Sequence, residues 1–301
     1  MHAHYGEAAA LVTALCWTIT AMAFESAGKR VGSLPVNLLR LLMAIVFLSI
    51  YSLVARGRLF PSDATAHAWF WLSISGVVGF LLGDLFLFRA FVVIGARISM
   101  LIMAAVPPIT ALLGWLLMGE RLTATNLVGM GLTMAGISWV VLERGRGEAD
   151  GAGMTRGPRP WAGILLAFGG ALGQAVGLVL SKYGMADYDA FAATQIRIIA
   201  GAVGFVLLFF VRPTWKRVGM ALRDGAAMRR ITLGAVFGPF LGVSFSLLAV
   251  QYTASGVAAT IMSIVPVLII VPAVIVFKER PTMREVVGAV VAVAGVAVMF
   301  L

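Results

Sequence analysis

The sequence predicts an all-α integral membrane protein of ten transmembrane helices, arranged as two inverted-topology five-helix repeats, and three observations carry that prediction. The first is composition. Of 301 residues, 61% are hydrophobic and 12% are charged, with a mean hydropathy of +1.00. An ordinary soluble domain carries about 25% charged residues. Here the charges cluster between apolar runs of about 20 residues, the length that crosses a bilayer. The second is a duplication. Residues 76–142 align with 235–301 at a constant offset of 159, without a gap. Gly79 falls on Gly238, Gly83 on Gly242 and Phe86 on Phe245. Ile102, Met103, Val106 and Pro107 fall on Ile261, Met262, Val265 and Pro266. The third is that the repeat extends to the front of each half at an offset of 157, where Ala14-Leu15 falls on Ala171-Leu172 and Arg40 on Arg197. The unit is therefore five segments long. An odd number makes the second copy enter the membrane from the opposite side, about a two-fold axis in the membrane plane.

Ten apolar segments succeed one another: 8–28, 34–55, 68–93, 97–118, 123–142, 160–182, 189–211, 231–251, 255–277 and 282–301. In lipid each must satisfy its own backbone polar groups, so each is a helix. Segment one holds Trp17 and the single cysteine, Cys16, which has no intrachain disulfide partner. It lacks the basic leader of a cleaved signal and reads as a retained span. Segment two carries Arg40, and segment three carries Phe80 and Asp84. Segment four holds Ser99, Met103, Thr110 and the Pro107-Pro108 pair. Segment five has Gly129 and Gly136, whose seven-residue spacing lets one face approach a neighbour closely. The stretch 143–159, rich in Gly, Arg and Pro, divides a first domain at 1–142 from a second at 160–301. Segment six places Gln174 opposite Trp17 in the repeat, and segment seven places Arg197 opposite Arg40. A second basic loop covers 212–230. Segment eight has Ser244 and Ser246; segment nine has Ser255, Thr260, Ser263, Pro266 and Pro272; segment ten repeats the glycines as Gly288 and Gly295.

The net charge of +10 lies in loops beside the spans, where it orients the chain and meets anionic lipid rather than nucleic acid. Loops after odd-numbered segments carry seventeen Lys and Arg, and loops after even-numbered segments carry four. The positive-inside rule puts the odd loops in the cytoplasm and both termini outside.

Polar groups inside spans are expensive and mark function. Asp84 is the carboxylate well inside an apolar run. It is either a structural partner of Arg89 or Arg40, or a site for a coupling proton or a substrate ammonium. Arg40 and Arg197 either snorkel and pair with Glu25 and acidic loop ends, or meet a substrate carboxylate. The serine and threonine hydroxyls bond their own helix backbone unless a cavity claims them. Pro107 and Pro266 remove helical hydrogen bonds at matched positions and read either as tolerated kinks or as hinges of discontinuous helices. The Glu120-Arg121 and Glu279-Arg280 turns serve nearby backbone donors or pair internally. The expected site is a central cavity between the halves, lined by Trp17, Phe80, Asp84, Ser99, Met103, Gln174, Ser244 and Ser263. No metal or cofactor is expected. The three histidines, His2, His4 and His67, lie outside the spans, and no catalytic triad or phosphate-binding loop is present.

The order of these motifs resembles the drug/metabolite transporter superfamily, and within it the ten-span EamA-type carriers. Pro107, Gly119-Glu120-Arg121-Leu122, Gly129 and Gly136 bear the likeness in the first half. Pro266, Glu279-Arg280, Gly288 and Gly295 bear it in the second, with Lys278 in place of the glycine before the glutamate. The resemblance implies a secondary carrier in a bacterial inner membrane, exporting small metabolites by alternating access, with protons as a candidate coupling ion. YddG-like amino-acid exporters are the subgroup it favours. The alternatives are a multidrug or lipophilic-cation exporter of the same fold and, from a different class, a membrane-embedded enzyme or a channel.

Overall fold

The computed structural model describes residues 4–87, 89–90, 93, 102–103, 105–149, 160–211, 215–268 and 282–299. Those residues are helical, with no strand among them. Helix α1 (Tyr5–Val31) passes to α2 (Ser33–Arg56) through Gly32 alone. Gly32 sits at φ +86°, a left-handed conformation that a Cβ disfavours, and its N–H closes α1 on the Gly28 carbonyl. Helix α3 (Ala66–Leu87) starts on Thr65, whose hydroxyl accepts from Ala68 N–H at 3.1 Å. Helices α4 (Val106–Met118) and α5 (Ala124–Ala149) complete the first half. The second half begins with α6 (Pro160–Met185) and α7 (Ala190–Val211). A short α8 (Trp215–Arg223) precedes the long α9 (Gly225–Tyr252), which Asp224 caps by accepting from Ala226 and Ala227 N–H. Then come α10 (Ser255–Met262), α11 (Val265–Leu268) and α12 (Met283–Val298).

Six of these helices, α1, α2, α3, α6, α7 and α9, are long and apolar enough to cross a membrane. Many large apolar residues are exposed: Val54, Val211, Phe210 and Leu165 are 70% exposed or more. An outer surface of this kind suits lipid rather than water. Inside, one cluster gathers Leu72, Ile196, Leu247 and Ile261. A second gathers Leu38, Leu48, Phe205, Phe209 and Ile231.

Two local features depart from the sequence expectation. The first is α8, in the stretch 212–230 that reads as a basic loop. Val218 and Ala221, one helical turn apart, are buried, while Lys216, Arg217 and Arg223 are exposed. Trp215 packs on Phe209 and Phe210 at 5.3 and 5.6 Å between ring centroids. The helix is amphipathic, and it is too short and too charged to register as a span. The second is that α3 and α9 are not uniform. Val77–Gly83 and Val236–Gly242, 159 residues apart, both widen into π-helix. The wide turn in α9 accommodates Pro239, which has no N–H to donate. In α3 Phe80 holds the same position, so the proline is not the cause of the widening.

Packing across the halves obeys one rule. Helix α3 lies along α6, and α9 lies along α1. Gly83 approaches Gln174 and Gly79 approaches Gly177. At the repeat-related positions Gly242 approaches Trp17 and Gly238 approaches Thr20. Numbers rise along one helix as they fall along the other, so both pairs are antiparallel. Helices α5 and α12 do the same with each other. A Cβ on Gly129 would lie 2.8 Å from the Gly295 carbonyl oxygen, and one on Gly136 would lie 2.6 Å from that of Gly288. At the crossing the Thr133 hydroxyl donates to its own Gly129 carbonyl at 2.8 Å and reaches Ala292 O at 3.4 Å. Ala292 is the repeat counterpart of Thr133, so a helix and its own copy run antiparallel about this point.

Candidate functional site

A cavity of about 340 Å³ lies between the two apolar clusters and takes its walls from both halves. Of the residues singled out in the sequence, Trp17, Phe80, Asp84, Met103, Gln174 and Ser263 line it, as do Arg40 and Arg197. The wall is built in repeat-related pairs: Trp17 with Gln174, Arg40 with Arg197, Gly79 with Gly238, Phe80 with Pro239, Asp84 with Val243, Leu87 with Ser246, Met103 with Met262, and Val106 with Val265. Thr20, Ile137, Leu178, Ala259 and Ser263 complete it without a lining counterpart among the described residues.

Ser244 is not among the lining residues. It is fully buried, and its hydroxyl donates to the Phe240 carbonyl at 2.6 Å. Ser246 faces the cavity instead. Val243 and Ser246, one helical turn apart, share the cavity face, and Ser244 lies about 100° round the helix from Val243. Ser99, Glu279 and Arg280 lie outside the described residues, as does the side chain of Glu25.

The matched prolines open helices rather than bend them. Ile102 and Met103 are helical, Ala105 forms a turn, and α4 starts at Val106 with Pro107 second. In the other half α10 ends at Met262, Ser263-Ile264 forms the turn, and α11 starts at Val265 with Pro266 second. In a first turn the missing N–H costs nothing, because that donor has no helical acceptor. Both chains are thus interrupted beside the cavity, where Met103, Met262 and Ser263 face it.

The charges in the wall are unevenly matched. The Arg40 guanidinium donates to Asp84, and both side chains are nearly buried. Arg40 also stands over the Phe24 ring at 5.3 Å. Arg89, the other candidate partner of Asp84, is exposed. Arg197 is 6% exposed and stands over the Phe80 ring at 5.1 Å. Its Nε has no hydrogen-bond acceptor, and no carboxylate pairs with it among the described residues. The reason is visible in the repeat: the residue at the position of Asp84 in the second half is Val243.

A polar cluster closes one end of the helix bundle. Gly119, at φ +66°, ends α4 and turns the chain so that Glu120 reaches α10. One Glu120 oxygen accepts from Ser255 N–H and the other from the Ser255 hydroxyl, each at 2.8 Å. Lys182 Nζ stands 2.7 Å from Glu120 and donates to Thr253 O at 2.7 Å. The Thr253 hydroxyl meets Glu7 at 3.0 Å. Glu120 thus serves backbone donors, as the turn suggested, but across the two halves and with Lys182 rather than Arg121 as its cation. At the same end Asp63 meets Arg56 at 2.6 Å and accepts from the Tyr188 hydroxyl at 2.9 Å. Desolvation works to raise its pKa, but the Tyr188 hydrogen bond and the Arg56 charge hold the carboxyl below its ordinary value. At the opposite end, Asp224 pairs with Arg30 at 2.8 Å. The Ala227 N–H and then Arg30 hold the Asp224 carboxyl below its usual range. Lys182 is the last residue of the sixth apolar segment. Its one signal was the exchange of charge in the repeat, where Glu25 stands opposite it.

The profile of the EamA-like transporter family matches residues 4–142 and matches again over 161–301. No curated protein matches the chain. Twenty-nine chains of solved structures do. One of them, a crystal structure, superposes with a TM-score of 0.77 at 20% identity, covering 98% of this chain and 96% of its own; at that identity it bears on the fold alone.

Proposed function

This chain belongs to the EamA-like transporter family, membrane transporters of the drug/metabolite type, and from that premise we propose that it is a secondary carrier exporting small metabolites by alternating access. The observation that carries the proposal is the central cavity, whose walls come from repeat-related positions on both halves. A site shared between two such units opens to one side or the other as the units rock. The antiparallel packing of α5 on α12 supports two inverted five-helix units, 1–142 and 160–301, joined by 143–159, with ten spans in all. The interruptions before Pro107 and Pro266 serve as the hinges. The excess of basic residues in the odd loops supports an arrangement with those loops in the cytoplasm and both termini outside.

The solute is small, with an apolar body to suit Trp17, Phe80, Leu87 and Met262. Amino acids with neutral or hydrophobic side chains meet that requirement and are the class to which the motif resemblance points. A coupling proton would be taken by Asp84, in competition with Arg40. The test is counterflow by the purified chain in proteoliposomes, across amino acids and lipophilic cations, with and without a pH gradient. Stimulated exchange of any of these solutes is expected; no exchange across the whole panel overturns the proposal.

A further inference from the structure

Building on the carrier assignment, we infer that Arg197 anchors the substrate and that the group it takes is a carboxylate on an apolar body. Four observations lead there. Arg197 is 6% exposed and lines the cavity, so it has not reached water. It is the eighth residue of α7, well inside the helix. The Nε atoms of Arg40 and Arg197 both lack an acceptor, but the only carboxylate in the described wall, Asp84, is taken by Arg40. The guanidinium rests on the Phe80 face, and Gly79 leaves room beside it, since a Cβ there would lie 3.4 Å from Nη2.

A buried cation without a counter-ion is costly, and the cost is offset when a ligand supplies the missing charge. Arginine remains protonated in proteins and offers two parallel N–H donors, the geometry that a carboxylate matches. The wall holds two arginines and one carboxylate among the described residues, which leaves one positive charge to be neutralised. A carboxylate does this; a dianionic phosphate ester would leave an excess negative charge. Among the described residues of the wall no free carboxylate remains for an ammonium group, so the recognised feature of an amino acid would be its acid end. Cations and neutral amides are disfavoured.

Four solutes with one skeleton test this: 3-phenylpropanoate, phenylalanine, 3-phenylpropanamide and phenylalaninamide, titrated calorimetrically into the full chain in nanodiscs. Both acids are expected to bind about 100-fold more tightly than their amides, with 3-phenylpropanoate at least equal to phenylalanine. Arg197→Gln is expected to abolish the preference for the acids, and Arg197→Lys to retain part of it. The wild-type series stands without any variant, should Arg197→Gln fail to fold. Equal binding of acids and amides, binding of none of the four, or acid binding unchanged in a folded Arg197→Gln would overturn the inference. Counterflow of other solutes in the proteoliposome panel would then still support a carrier, so the two assignments fail separately.

Discussion

Asp84 and Arg40 have each other as partners inside the protein, and removing either leaves a charge in a poorly solvated wall. Loss of one member of a buried pair costs about 3–5 kcal/mol, whereas replacing both by apolar groups of similar volume is often close to neutral. Asp84→Asn is therefore expected to lower the thermal unfolding temperature of the purified protein, and Arg40→Met combined with Asp84→Leu to restore much of it. Transport should fall in both. Wild-type rates for Asp84→Asn over a range of pH would reduce Asp84 to a structural role. The sequence displayed Arg40 and Arg197 as a repeat pair and offered two partners for Asp84. It did not reveal which arginine goes unpaired, because that depends on Arg40, and not Arg197, reaching Asp84 in the folded bundle. The exchange of Ser244 for Ser246 was hidden for a related reason. Both serines are polar and mid-span, and only the register of the helix against the cavity separates them.

Helices α5 and α12 show how much an element can declare in advance. Gly129, Gly136, Gly288 and Gly295 announce a close crossing by their spacing, and the crossing brings them against each other's backbones. Gly136→Leu is expected to destabilise the fold by about 2 kcal/mol or more, since overpacking of this kind forces backbone shifts. Gly131, with open space where its Cβ would be, provides the control: Gly131→Ala should leave thermal unfolding unchanged or slightly improved. Unfolding of the Gly136→Leu protein at the wild-type temperature would mean that the crossing contributes little. By contrast, the π-segments of α3 and α9 had no signature beyond shared glycines. Helix α8 was lost among basic residues because hydropathy weighs its charges more heavily than the periodicity of Val218 and Ala221.

On the scale of the whole molecule, the proposed orientation puts 143–159 and 212–230 on the cytoplasmic side. Single cysteines introduced there should resist an impermeant thiol reagent in intact cells and react once the membrane is opened. The one native cysteine, Cys16, is buried and gives little background. Ready labelling from outside would reverse the topology. The unpaired Arg197 has an electrical consequence for such a carrier. With Asp84 held by Arg40, the empty protein carries one net positive charge at its centre, and a bound monoanion cancels it. The loaded step is then indifferent to membrane potential, while the empty step moves charge through the field, at about 2.3 kcal/mol per elementary charge for each 100 mV crossed. An interior-negative potential draws the empty site inward, where it reloads, and each turn of the cycle sends one negative charge out. Efflux of 3-phenylpropanoate from proteoliposomes should accelerate when potassium and valinomycin impose a negative interior. Efflux of phenylalanine, whose own charges cancel, should gain no net drive. The resting voltage of the cell would then act as the energy source for export of an acid, delivered through a single arginine that the gene duplication left without its aspartate.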